Sequence, residues 1–246
     1  MESVGNILKS VMDINCDLGE GMENDAQIMP YITSCNIACG GHAGDKKLMK
    51  STVLLAKKYH VKIGAHPSFL DKENFGRKEM NVPSSKLTEQ IISQITVLKK
   101  IVEKEGLTLH HIKLHGALYN MAAKSEEMAS LVINAVQSFK EDLIMYVPYG
   151  SLIANKLKMK SLPFYYESFA DRMYLNDLSL MSRKEKGAVI ENPQRVLIRV
   201  KQLINLETIK TFQGKNVKIK TDTICVHGDN PNAVEIVKKL SNLIRN

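Results

Sequence analysis

The sequence predicts an α/β protein in which seven parallel strands, each backed by a helix, close into a single barrel. Three observations carry this reading. Short apolar runs alternate with longer amphipathic stretches, seven such runs can be counted, and nearly every run ends in a cluster of ionisable and small residues. Alternation of this kind marks repeated βα units around a mainly parallel sheet. With 246 residues and 44% hydrophobic content the chain can fill one barrel core, so residues 1–246 are read as one domain.

The runs fall at residues 11–16, 35–38, 61–65, 111–114, 143–147, 164–168 and 223–226. Between the second and third, residues 46–59 place Leu48, Met49, Thr52, Leu55 and Ala56 on one helical stripe. Between the third and fourth, residues 84–105 do the same with Leu87, Ile91, Ile95, Leu98 and Val102. Ser84, following Pro83, is the expected N-cap and Gly106 the expected stop. The last helix is expected to begin near Asn230-Pro231, since proline suits a first turn, and to bury Val234, Val237, Leu240 and Leu243. Residues 175–192 and 206–220 are the least regular and read as loops.

Composition narrows the function classes. The first residues, MESVGNILKSVMDIN, carry no long apolar stretch and no small-residue cleavage site, and no other segment reaches a membrane span, so a soluble, cytoplasmic protein is expected. The net charge of +8 is spread over Lys46, Lys57, Lys99, Lys158, Lys184 and Lys215 without interleaved aromatics. With no Trp and 6% aromatics the chain is poorly equipped to stack on nucleic acid bases. Cys16, Cys35, Cys39 and Cys225 form no CxxC pair and read as free buried thiols. Cys35 and Cys39 are four apart, the spacing of zinc ligands on a helix, but SCNIACGG reads as a strand entering a glycine turn.

The chemistry lies where the runs end. Asn15 to Gly21 follow the first, Cys39 to Asp45 the second, Gly64-Ala65-His66-Pro67 the third and Lys113-Leu114-His115-Gly116 the fourth. Glu167 to Arg172 follow the sixth and His227-Gly228-Asp229 the last. In a parallel barrel these ends share one rim, where active sites are built. His42, His66, His115 and His227 each stand beside Gly or Pro, where backbone approaches a ligand closely, whereas His60, His110 and His111 read as surface or packing residues. Asp45 and Asp229 suit either helix caps or substrate contacts. Lys113, inside a buried strand, requires Asp17, Glu167 or an anionic ligand as partner, because an unpaired buried ammonium is costly.

Such a set suits amide hydrolysis, with carboxylate or imidazole activating water and lysine or arginine steadying the carbonyl oxygen. Neither a Gly-x-Ser-x-Gly elbow nor a recognisable cysteine nucleophile motif is present, which favours attack by water over an acyl-enzyme. Asp17, His42 and His66 form a candidate divalent-metal set with coordination positions left for water. There is no GxxxxGK[ST] phosphate loop and no dinucleotide fingerprint.

The blocks DINCDLGEG (13–21), NIACGGHAGD (36–45), IGAHPSFLDKENFGR (63–77), KLHGALYN (113–120), ESFADRMYLNDLSLMSRKEKGAVI (167–190) and CVHGDNP (225–231) resemble the LamB/YcsF family, the 5-oxoprolinase A subunits. The resemblance implies a seven-stranded TIM-like (β/α) barrel of the glycoside hydrolase/deacetylase superfamily. It further implies cleavage of 5-oxo-L-proline to L-glutamate, coupled to hydrolysis of Mg²⁺-ATP and performed with separate B and C subunits. Carried over block by block, the polar site positions are Asp17, Glu20, His42, Asp45, His66, Lys113, His115, Glu167, Asp171, Arg172, His227 and Asp229. Asp17 with His42 and His66 is the expected water-activating or metal group, and Lys113 or Arg172 the oxyanion or carboxylate partner. Glu167, Asp171, His115 and His227 compete for the general-acid role, and Asp45 and Asp229 are expected to bind substrate. Cys16 stands where the family usually has Ala, and Gly41 where it often has Phe, which is expected to widen the pocket. Two other functions fit the same residues: a stand-alone metal-dependent deacetylase or amidohydrolase, and a binding subunit without chemistry of its own.

Overall fold

The computed structural model describes residues 12–245. Residues 1–11, with Val11 of the first predicted strand and most of the segment read for a leader, lie outside the described residues. Among the described residues there are nine strands: β1 (Asp13–Leu18), β2 (Ser34–Ala38), β3 (Lys62–His66), β4 (Leu109–Lys113), β5 (Ile144–Pro148), β6 (Phe164–Phe169), β7 (Thr208–Lys210), β8 (Asn216–Lys218) and β9 (Thr223–His227). Seven of them close in the order β1-β2-β3-β4-β5-β6-β9, every pair parallel. The strands predicted from sequence are the barrel strands, with boundaries moved by one or two residues.

Residue alternation explains which way each strand faces. In β1 the outward Ile14, Cys16 and Leu18 join the hydrophobic core, while Asp13, Asn15 and Asp17 point inward. The barrel interior is therefore polar, and the apolar core lies between sheet and helices. At its floor Asp13 accepts hydrogen bonds from Ser34 at 2.7 Å, Thr223 at 2.6 Å and Tyr146 at 3.3 Å. Above it Asn36 donates to Asn15 at 2.8 Å, and Asp17, His66, Lys113 and Glu167 form the mouth. Gly64 leaves the space that the His111 ring fills, since a Cβ there would lie 2.1 Å from His111 Nε2.

The helices are α1 (Asp25–Ile28), α2 (Lys46–Tyr59), α3 (Ser84–Lys104), α4 (Gly116–Lys124), α5 (Glu126–Gln137), α6 (Leu152–Met159), α7 (Pro193–Leu206) and α8 (Ala233–Arg245). The α3 stripe of Leu87, Ile91, Ile95, Leu98 and Val102 is fully buried, and Gly106 follows its end at φ 75°. Three local expectations are corrected. Ser84 is the first helical residue rather than the cap; its hydroxyl donates to Glu127 at 3.3 Å. Helix α8 starts at Ala233, because the Asn230 side chain is drawn to Asp171 at 3.1 Å; Val237 and Leu240 are buried as expected, Val234 and Leu243 partly. Residues 206–220 are not only loop but carry the antiparallel pair β7-β8.

Among the described residues all four cysteines are free and buried, and neither Cys35 nor Cys39 joins a group of metal-capable donors. No helix among the described residues is long and apolar enough to cross a membrane.

Candidate active site

Lys113 at the end of β4 organises the mouth. Its Nζ lies 2.8 Å from Asp17 Oδ1, 2.9 Å from Cys225 Sγ and 3.0 Å from Glu167 Oε1, and the residue is only 2% exposed. An ammonium has three protons; Asp17, Cys225 and, at 3.5 Å, Asn15 Oδ1 accept them, while Glu167 adds a second negative charge. The sequence offered Lys113 as an oxyanion or substrate-carboxylate partner; in the structure its ammonium is engaged by Asp17, Cys225 and Glu167. Burial by itself would lower its pKa, but Asp17, then Cys225 and Glu167, outweigh burial and hold it well above the ordinary value. Burial likewise works to raise the Asp17 carboxyl, and His66, when its ring carries a positive charge, together with the Lys113 ammonium outweighs it to hold that group well below the usual range. Asn36, which the sequence reading passed over, donates a further bond to Asp17 Oδ1 at 2.8 Å. Glu167 pairs with the Lys113 ammonium at 3.0 Å, and the buried Tyr119 hydroxyl approaches its carboxylate.

The histidines are locked by backbone. His66 Nδ1 sits 2.8 Å from the Lys113 carbonyl and His115 Nε2 sits 2.9 Å from the Phe75 carbonyl. A carbonyl only accepts, so each neutral ring carries its proton on that nitrogen. The remaining nitrogens, His66 Nε2 and His115 Nδ1, are then bare and face each other at 3.0 Å. Asp17 Oδ2 lies 3.5 Å from the first and Glu20 Oε1 3.6 Å from the second. Lone pairs so placed repel unless a proton or a cation lies among them. His42 stacks on His115 with ring centroids 3.6 Å apart, and its Nε2 meets Glu20 at 3.0 Å. Burial pushes His42 down to about 4 and lifts Glu20 to about 7.

The metal-capable donors therefore group as Glu20, His42, His66 and His115, with Asp17 grouped separately beside Cys225 and His227. Of the expected Asp17, His42 and His66 set, His42 and His66 fall in the first group and Asp17 in the second, with Asp17 Oδ2 3.5 Å from His66 Nε2. Two imidazole lone pairs and a carboxylate converging on one point fit a divalent transition-metal ion.

Across the mouth, His227 Nδ1 donates to Asp171 Oδ1 at 2.8 Å, and Asn230 anchors Asp171 Oδ2 at 3.1 Å. Asp171 is fully buried and also accepts the His227 backbone N–H at 3.2 Å. Arg172 is turned toward its own loop: it donates to the Met181 carbonyl at 2.6 Å and the Ala188 carbonyl at 3.4 Å, with burial lowering its pKa to about 10. It still borders the pocket. Asp229 bridges Arg77 at 2.5 Å and Arg183 at 2.9 Å, tying two rim loops together. Asp45 is exposed and caps α2 through Leu48 N at 2.8 Å, and it is not among the residues that line the cavity. Gly41 does not widen the pocket, for a Cβ there would lie 2.4 Å from Gln94 Oε1 and 2.5 Å from Ser68 Oγ. His60 is exposed at the end of α2, as expected of a surface residue; His111, read as a packing residue, is buried and bonded to Asn36.

Asp17, His66, Lys113, His115, Tyr119, Arg172 and His227 border one cavity of about 510 Å³. A closed, seven-stranded parallel barrel with charged and imidazole side chains gathered over its strand ends is a TIM-like barrel protein with its site on the strand-end rim. The chain belongs to the LamB/YcsF family, whose model matches residues 12–246. It is 40% identical to the A subunit of 5-oxoprolinase from Histophilus somni over 93% of both chains. It is 42% identical to the corresponding 5-oxoprolinase chain of Pyrococcus furiosus, covering 92% of this chain and 90% of that one. Among solved structures, the lactam utilization protein of Thermus thermophilus superposes with a TM-score of 0.89 at 32% identity, covering 96% of each chain.

Proposed function

We propose that this chain opens the lactam ring of 5-oxo-L-proline to give L-glutamate, as the A subunit of an ATP-dependent 5-oxoprolinase working with B and C subunits. The observation that carries the reading is the mouth itself: a depressed carboxylate, Asp17, beside the bare Nε2 of His66, at the bottom of a cavity bordered by the Asp171-oriented His227. In this reading Asp17 and His66 take the proton of the attacking water. His227, oriented and electrostatically supported by Asp171, delivers a proton to the departing amide nitrogen. Arg172, which borders the cavity, pairs with the substrate carboxylate. Lys113 keeps Asp17 ionised. An unstrained lactam is a poor electrophile, and phosphorylation of its oxygen at the expense of Mg²⁺-ATP would make it a better one. A chain without a phosphate loop fits a division of labour in which other subunits contribute to the ATP step.

A divalent ion fits the same mouth. Glu20, His66 and His115, with Asp17 and His42 beside them, would hold it, and it would supply Lewis-acid polarisation there. Metal analysis of the purified chain before and after chelation, with His115→Ala as control, tests this directly.

The test of the activity is glutamate release from 5-oxoproline with ATP and Mg²⁺, comparing the chain alone with the chain plus B and C subunits. Release only in the mixture is the expected result. Silence in a mixture that is competent with another 5-oxoprolinase chain of this family would overturn the proposal. ATP-independent, chelator-sensitive amide hydrolysis by the chain alone would instead mark a metal-dependent amidohydrolase.

A further inference from the structure

Asp17 does not stand alone on the barrel wall; a directed chain of hydrogen bonds runs up to it from the opposite end. An ionised carboxylate only accepts, so the Asn36 group 2.8 Å from Asp17 Oδ1 is the amide NH₂, and its second proton goes to Asn15 Oδ1 at 2.8 Å. That fixes Asn36 Oδ1 on the other side, 2.7 Å from His111 Nε2, and this nitrogen must then carry a proton. With Nε2 protonated, a neutral His111 ring leaves Nδ1 bare, and it accepts from His110 Nδ1 at 3.0 Å. The ring cannot easily turn, since Tyr146 stacks on it at 4.0 Å and 10° and Gly64 provides the space shaped for it.

We propose that His111, acting through Asn36, is a positioning residue for the reaction: its Nε2–H holds the Asn36 amide in the one orientation that presents a donor to Asp17. Without that proton the Asn36 Oδ1 is a buried acceptor left unpaired, and the amide loses the bond that fixes its tilt as it donates to Asp17 Oδ1 and Asn15 Oδ1. The inference rests on the proposed role of Asp17 as the water-activating carboxylate. His111 touches no substrate. Its effect falls on the orientation of a group used in the transition state, and hence on kcat rather than KM.

The test uses the full chain in the assembled oxoprolinase, with His111→Leu, which keeps the volume and removes the donor, and His111→Gln, which restores an N–H in place of Nε2. His111→Leu should lower kcat about 10- to 100-fold with KM nearly unchanged, as for other residues that orient a reacting group. His111→Gln should recover most of the loss. Because the two residues form one chain, the double variant with Asn36→Leu should be no slower than Asn36→Leu alone. Independent, multiplying losses, or a His111→Leu enzyme with unchanged kcat, would overturn the proposal. Nitrogen-15 NMR of the His111 ring provides a readout that does not need turnover. A neutral ring protonated on Nε2 is expected, and a ring protonated on Nδ1 would overturn the hydrogen-bond chain. If the wild-type mixture shows no turnover, the activity assignment fails, while the ring spectrum still decides the chain itself.

Discussion

Replacing Lys113 by Met tests the electrostatic logic of the site most severely. The substitution keeps the length and apolar stem of the side chain but removes the one positive charge standing 2.8 Å from Asp17 and 3.0 Å from Glu167. Both carboxylates are buried, with side-chain exposures of 5% and 0%, so water cannot replace the lost cation. Breaking a buried pair by deleting one partner costs about 3–5 kcal/mol, and here two carboxylates lose the same partner. For a domain of this size that corresponds to a fall in Tm of roughly 6–20 °C near neutral pH. The pH dependence should also weaken. In the wild type Asp17 is held below its unfolded value, so its contribution is present above the unfolded pKa and is lost as pH falls through the folded one. In Lys113→Met, burial of Asp17 is opposed by only the charges of His66 and His227, so its carboxyl rises from the wild-type position and contributes less stability near neutral pH. Denaturant melts of both proteins from pH 5 to pH 8 should therefore converge toward the acid end and diverge toward neutrality. Adding Glu167→Gln should restore part of the loss at neutral pH. A Lys113→Met protein as stable as wild type at pH 8, or one with an unchanged pH slope, would refute the account of Lys113 as a buried bridge.

Other expectations follow from the same geometry. Asp171→Asn should reduce kcat about 10²- to 10⁴-fold in the assembled enzyme while leaving the fold intact by circular dichroism, because an amide no longer supports a protonated His227. Asp45→Ala should cost about 1 kcal/mol in denaturant unfolding through loss of the α2 cap, with kcat and KM unchanged; a raised KM would instead return Asp45 to the substrate. Gly64→Ala should destabilise by about 1–3 kcal/mol or more, since its Cβ would collide with His111 at 2.1 Å, and chemical denaturation measures the cost.

The sequence by itself determined the barrel. Strand count, strand positions and the long buried stripe of α3 follow from local alternation and helical periodicity, and those signals need no knowledge of distant residues. It also determined that Asp17, His66, Lys113, His115 and His227 meet, because strand-end residues of a closed parallel sheet must share a rim. What each does there was decided only by tertiary structure. Lys113 could be read as an oxyanion partner until Asp17, Glu167 and Cys225, from three other strands, were seen to surround its ammonium. Asp45 and Asp229 look alike in sequence, yet one caps the helix that begins beside it and the other clamps two arginines from separate loops. Asn36 and His111 gave a signal that was legible in principle, as polar residues alternating with apolar ones in a strand, the same pattern as Asp13, Asn15 and Asp17. Their partners lie 19 to 75 residues away, and hydrogen-bond direction is set by those partners rather than by local sequence.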